Sequence, residues 1–203
     1  MSPSDQPPYE TDTTNPALPG SHPASLPSVR VLFDADTIAA RNRALAAEIA
    51  ALRPQRLLVV CVLKGSFVFA ADLIRALHAA GVAPEVEFII LSSYRAATTS
   101  TGRVQILRDV ESEVRGRDVL LIDDILESGR TLAFAKDLLA ARGAARVLTC
   151  VLLEKPGKRA VKIDADFLGF CCPDVFVVGY GMDIAHAFRQ LPFVGVVEHS
   201  ETE

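Results

Sequence analysis

The sequence predicts an α/β fold with a central, mostly parallel sheet flanked by helices. Near-continuous apolar, β-branched runs such as Leu57–Leu63 and Val147–Leu153 are the pattern of strands covered on both faces. These runs alternate with stretches of helical apolar spacing, the signature of strand–helix–strand units. The segment Val119–Thr131 (VLLIDDILESGRT) then places two adjacent acids and a Gly-containing turn between one such strand and the next helix.

Taken in order, residues 1–28 stand apart. They hold seven of the twelve prolines amid Ser, Thr and Asp, so they offer too little apolar surface to offset the entropy of ordering. The prediction is a disordered tail at 1–28 and one domain over 29–203. Regular patterning begins at Val31. Asp36–Leu52 reads as an amphipathic helix with Ile38, Leu45, Ile49 and Leu52 on one face and Asp36 or Thr37 as its cap. Leu57–Leu63 is a strand, Ser66–Ala80 a helix ended by Gly81, and Val86–Leu91 a strand. Val119–Ile122 is the next strand, Thr131–Arg142 a helix closed by Gly143, and Val147–Leu153 another buried strand. Ligands in open parallel sheets sit beyond the carboxyl ends of the strands. Lys64–Gly65 and Asp123–Asp124 are both placed there.

Composition narrows the class. The chain has 203 residues, 50% of them hydrophobic and 23% charged, with a net charge of −4. That length suits one domain with a sizeable core. The charge gives no reason to expect nucleic acid or an anionic membrane as partner. No apolar run approaches the roughly 18 residues of a spanning helix. The N-terminus has neither a signal-peptide pattern nor an Arg-rich amphipathic leader, so a cytoplasmic protein is expected. Cys61, Cys150, Cys171 and Cys172 show no zinc spacing and read as reduced, buried residues.

Chemistry concentrates in 119–131. Carboxylates accept hydrogen bonds from ribose hydroxyls, and N–H groups at a helix N-terminus cradle a phosphate, so this layout is that of a sugar-phosphate site. The segment resembles the phosphoribosyl pyrophosphate (PRPP) signature of type I phosphoribosyltransferases. Five further motifs follow the pattern of the 6-oxopurine branch, the hypoxanthine (hypoxanthine-guanine) phosphoribosyltransferases: Val62–Phe67, Ser92–Tyr94 with the loop through Arg103 and Val104–Leu107, Leu152–Pro156, Asp166–Asp183 and Phe188–Pro192. The similarity runs in order from about residue 30 to 198.

The resemblance implies the type I fold with a small hood over the active site. It implies exchange of pyrophosphate for a purine base at C1 of PRPP, with Mg²⁺ as cofactor and a homodimer or homotetramer as assembly. Asp123 and Asp124 would bind the ribose hydroxyls, with or without metal between. Glu127, Ser128, Gly129, Arg130 and Thr131 would wrap the 5′-phosphate, although Arg130 serves equally well as a solvated residue of the helix start. Lys64 and Gly65 match the pyrophosphate loop, where the peptide before the Lys is often cis. Ser93 and Tyr94 begin a lid over 95–103. Lys155 would donate to the purine O6, Phe176 stack on the ring and Val177 offer backbone contacts. Asp183 would hold Mg²⁺, and Arg189 would pair with pyrophosphate. His186, three residues beyond Asp183, is either near the metal or an exposed helix residue.

One departure stands out. The general base facing purine N7 is usually an Asp in this family and is Glu127 here, one methylene longer. That opens an alternative, a catalytically weak PRPP-binding regulator on the same fold. A phosphoribosyltransferase for another base is disfavoured by Lys155 and the 166–183 segment.

Overall fold

The computed structural model describes residues 28–93 and 104–198; residues 1–27, Tyr94 and the 95–103 segment lie outside the described residues. In chain order the elements are β1 (Val29–Phe33), α1 (Ala35–Ala51), β2 (Leu58–Leu63), α2 (Phe67–Ala79), β3 (Glu85–Ser93) and β4 (Val104–Arg108). They continue with β5 (Asp118–Leu126), α3 (Arg130–Ala141), β6 (Arg146–Glu154), β7 (Phe167–Cys171), β8 (Val177–Val178) and β9 (Val194–Val197).

The main sheet has the order β4-β3-β2-β5-β6-β7 and is parallel except for β4 at its edge. Strand alternation divides the core in two, as expected for strands buried on both faces. Val59, Cys61, Leu120, Ile122, Cys150 and Leu152 pack under α1 and α2, against Leu45, Ile49, Phe69, Leu73 and Leu77. Leu58, Val60, Val62, Val119, Leu121 and Val151 pack on the opposite face, against Leu132, Ala135 and Leu139 of α3. A second, three-stranded antiparallel sheet, β1-β9-β8, forms the small hood; its strands are too short for periodicity to mark them.

From β2 the chain winds one way to β3 and later returns to lay β5 on the other side of β2. The β2–β5 gap is therefore the point where strand order reverses, the place where open sheets hold ligands. Pairing between the two strands ends at Cys61–Ile122, yet β5 stays paired with β6 through Leu126 and Glu154. The acids Asp123 and Asp124 consequently sit inside β5 and not beyond its end, a correction to the expected strand stop at Ile122. The reason is one-sided pairing: an apolar pattern ends where β2 departs, but the ladder to β6 does not.

Three other expectations need correction. The α1 cap is Asp34, whose carboxylate accepts from the Thr37 N–H at 2.7 Å, and not Asp36 or Thr37. Leu52 is 45% exposed because it follows the last helical turn instead of continuing the buried stripe. Cys171, at the end of β7, is exposed, whereas Cys61, Cys150 and Cys172 are buried, and all four are free. Among the described residues no helix is long and apolar enough to cross a membrane.

A polar network ties the hood to the helical layer. Tyr180 donates its hydroxyl hydrogen to Asp72 of α2 and accepts from the Asn42 amide of α1 at 2.9 Å, while Arg75 pairs with Asp72. The Asn42 Oδ1 is buried without a partner among the described residues. Tyr180→Phe would leave the Asn42 amide with neither end matched, so the variant should lose about 1–3 kcal/mol of stability, read as a lower urea midpoint at unchanged m value.

Candidate active site

Where β2 and β5 part, the Lys64–Gly65 turn fills the opening, and the Leu63–Lys64 peptide is cis. Gly65 is required there by space. A side-chain carbon at that position would lie 1.6 Å from Asp124 Oδ2, so the carboxylate occupies the volume that any larger residue would need. Asp123 is itself buried, and the two acids also satisfy the local backbone: the Asp124 N–H donates to Asp123 Oδ1 at 3.0 Å, and the Ile125 N–H to Asp124 Oδ1 at 2.8 Å.

Burial raises the pKa of Asp123, and the adjacent Asp124 charge adds to it. Burial also raises Asp124, against the opposing pull of hydrogen bonds from Asp123 and the backbone and of the Arg189 charge. The pair thus holds a proton to higher pH than two solvated carboxylates would. Such a site gains whenever donors such as hydroxyls, or a cation, enter to satisfy the ionised form.

Beyond β5 the chain turns through Glu127 and Ser128 into α3. Gly129 adopts a left-handed conformation at φ +77° and opens the helix with no side-chain cap. The Arg130 N–H makes a long bond of 3.4 Å to Ser128 Oγ, and no acidic residue sits in the first turn of α3, so its positive dipole end carries no compensating charge and suits an incoming anion. The turn is held from outside by the 154–163 segment. Arg159 donates to the Leu126 and Glu127 carbonyls at 2.9 and 2.8 Å and to Ile163 O at 3.2 Å, and it pairs with Glu154. The Ala160 and Val161 N–H groups both donate to Ser128 O, at 2.9 and 3.2 Å.

The hood contributes a tightly wound stretch in which Tyr180, Ala185, His186 and Phe188 all take positive φ. Several left-handed non-glycine residues in one segment persist only where surrounding contacts over-determine them. Here Tyr180 N–H donates to Leu191 O and Gly181 N–H to Arg189 O. The winding brings Arg189 Nη2 to 2.7 Å from Asp183 Oδ1, with Nη1 donating to Gly181 O at 2.6 Å. The His186 N–H donates to Asp183 Oδ2 at 2.8 Å, but its ring is 86% exposed in a turn, not on a helix.

These elements enclose two adjoining cavities. One, about 650 Å³, is lined by Lys64, Gly65, Asp124, Glu127, Lys155, Phe176, Val177, Asp183 and Arg189, together with Ile90, Leu91, Leu107 and Met182. The other, about 320 Å³, is lined by Asp123, Glu127, Ser128, Gly129, Thr131 and Lys158. They share Ile125 and Glu127. Phe176 is 59% exposed ahead of β8, which disposes of a core role for it. Lys155 is nearly buried, with no carboxylate paired to it among the described residues.

Most of the expected site residues therefore converge. The exceptions are Arg130, which is exposed, and Ser93, which ends β3, neither of which lines a cavity, and Tyr94, which lies outside the described residues. Asp123, Asp124 and Asp183 do not form a metal cluster: no group of three or more His, Cys, Asp or Glu side chains is arranged to hold an ion among the described residues. Asp123 lines the smaller cavity, while Asp124 and Asp183 line the larger one. Sequence reading passed over Lys158, Arg159 and Met182; the basic pair after Glu154-Lys155 was the available signal for the first two.

The phosphoribosyl transferase domain family matches residues 28–185. Hypoxanthine phosphoribosyltransferase of Escherichia coli (strain K12) is 43% identical over 141 residues, 70% of this chain and 78% of that protein. The chain belongs to the hypoxanthine phosphoribosyltransferase family. Hypoxanthine-guanine phosphoribosyltransferase of Streptococcus agalactiae is 39% identical over 170 residues, covering 83% of this chain and 93% of that protein. The structure of hypoxanthine phosphoribosyltransferase from Trypanosoma cruzi, in complex with the product IMP, superposes with a TM-score of 0.79 at 34% identity, covering 86% of this chain and 96% of that one. The type I phosphoribosyltransferase fold with its hood is that of the family, and a phosphoribosyltransferase is an enzyme of the glycosyltransferase type.

The raised carboxylate pair makes a stability prediction. A group whose folded pKa exceeds its unfolded value contributes stability at low pH that is lost as pH rises through the folded pKa. Asp123→Asn removes that loss, so near neutral pH it should raise Tm by about 2–4 °C, the shift that relief on the order of 1 kcal/mol produces in a domain of this size. Thermal denaturation against pH checks this; a variant that melts below the parent at pH 7.5 and above it at pH 4 would contradict the assigned sign.

Proposed function

We propose that this chain transfers the 5-phosphoribosyl group of PRPP to a 6-oxopurine, hypoxanthine, guanine or xanthine, releasing pyrophosphate and forming the nucleoside monophosphate in purine salvage. The observation that carries the reading is the meeting of the two cavities at Ile125 and Glu127. One has the donors for a phosphate, the other the groups for a base and a pyrophosphate, and the ribose C1 belongs at their junction.

On this reading the α3 N-terminus, Ser128, Gly129 and Thr131 hold the 5′-phosphate. Asp123 and Asp124 accept from the ribose hydroxyls. Lys64, the Gly65 backbone and Arg189 hold pyrophosphate, with Ser93 and Tyr94 closing from the lid. Lys155 donates to O6, which adenine lacks as an acceptor. Phe176 stacks on the ring, and its exposure in this structure leaves that face open to a ligand. As the purine N9 bonds to C1 and the C1–oxygen bond to pyrophosphate breaks, Glu127 accepts the N7 proton. Its carbonyl is pinned by Arg159 while its side chain is exposed, which leaves the longer carboxylate free to settle against the base.

Asp124 and Asp183 line one cavity and would hold Mg²⁺, Asp183 exchanging its Arg189 pairing for the ion; Mg²⁺ is commonly held by one or two carboxylates plus substrate phosphates rather than by a protein cage. Bound there, Mg²⁺ would neutralise charge on the departing pyrophosphate. We further place the protein in the cytoplasm as a homodimer or homotetramer; exposed Phe67, lining an apolar cleft of about 530 Å³ between α1, α2 and the 180–192 segment, supports an association surface.

An ultraviolet absorbance assay with PRPP and each base tests the reading. Turnover is expected with one or more 6-oxopurines, none with adenine, and none without divalent metal. Glu127→Gln is expected to cost about 100-fold or more in kcat, and near-parental turnover in that variant would overturn the general-base role.

A further inference from the structure

The smaller cavity has a shortage of positive charge. A phosphomonoester carries roughly −1.5 to −2 charge at neutral pH, and this cavity already contains Asp123 and Glu127. Hydroxyls and the α3 N–H groups donate to an anion but carry no full charge. Arg130, the cation within the signature, is exposed and lines neither cavity. The cationic side chain that does line it, among the described residues, is Lys158.

Lys158 is held at this place by its neighbours. Ala160 and Val161 N–H groups donate to Ser128 O, and the guanidinium of Arg159 donates to Leu126 O and Glu127 O. A side-chain carbon at Gly129 would meet Ile163 Cγ2 at 2.6 Å, so the two segments are in close contact throughout. The Lys158 ammonium itself pairs with Asp174 Oδ2 at 2.8 Å, with side chains 46% and 57% exposed. An exposed pair of this kind contributes little, because solvent screens it. A phosphate held between backbone donors presents more charge and more acceptor oxygens than that single carboxylate.

We propose that Lys158 binds the 5′-phosphate of PRPP and of the product nucleotide, exchanging its resting ion pair with Asp174 for the phosphate oxygens. The proposal deepens the reading of the 127–131 turn as a phosphate cradle and rests on it. Asp174 is then a resting counter-ion that competes with substrate.

The test is the reverse reaction, IMP plus pyrophosphate, because IMP keeps the 5′-phosphate and pyrophosphate reports a different subsite. Lys158→Met should raise KM for IMP roughly tenfold, the loss expected of one charge-assisted hydrogen bond, with KM for pyrophosphate unmoved. Lys158→Arg should recover most of the IMP affinity. Asp174→Asn should shift the other way, lowering KM for IMP about two- to threefold, since removal of a weak competing pair is all it does. An unchanged KM for IMP in Lys158→Met would overturn the proposal, as would equal losses for IMP and pyrophosphate, the mark of a damaged fold. Parental enzyme that fails to turn over IMP and pyrophosphate would instead overturn the phosphoribosyltransfer reading, and the role of Lys158 with it.

Discussion

The parting of β2 and β5 after Cys61 and Ile122 is the constraint on which the rest of this molecule depends. Up to that level the two strands are bonded neighbours in the middle of a sheet covered on both faces. Past it, β2 breaks into the Lys64–Gly65 turn, while β5 keeps its bonds to β6 for four more residues. A wedge opens at the reversal of strand order. Everything with chemical potential is attached to its walls: the acids on β5, the basic turn on β2, the α3 N-terminus beyond and the hood segment above.

Opening that wedge ends the β2–β5 ladder while leaving the two acids buried, and neighbouring segments compensate. Asp124 settles into the space Gly65 leaves vacant, and both acids take hydrogen bonds from the N–H groups that follow them. The Arg159 guanidinium binds the carbonyls freed where β5 runs into the turn. The site is therefore a region of deliberate electrostatic imbalance inside a well-satisfied frame: two acids disfavoured as a charged pair, an uncapped helix start and a nearly buried lysine.

Much of this was legible from residues alone, and the reasons differ by element. The unbroken apolar run in Leu57–Leu63 and the near-continuous one in Val147–Leu153 are local patterns, so the doubly covered sheet and its two-sided core could be read directly. Val119–Thr131 holds strand, acids, turn and helix start within a few residues, so the convergence of Asp123 with Ser128, Gly129 and Thr131 was readable too. The larger cavity was reached only by resemblance, since Lys64, Lys155, Phe176 and Arg189 lie on four segments that no periodicity relates. Illegible features depend on partners distant in sequence or on one missing neighbour. The Asn42–Tyr180 and Asp72–Tyr180 bonds span 138 and 108 residues. The extra length of β5 depends on β6 outlasting β2. Lys158 gains its place only because Ser128 O anchors the segment that carries it.

The way Glu127 is held bears on how such a protein diverges. Its backbone is clamped from behind by Arg159, yet its side chain packs into neither core. A change of side chain at this position therefore leaves the packing of both cores untouched. The longer acid in this chain is a variant that the architecture permits at little structural risk, and position 127 is a natural starting point for laboratory evolution toward altered bases.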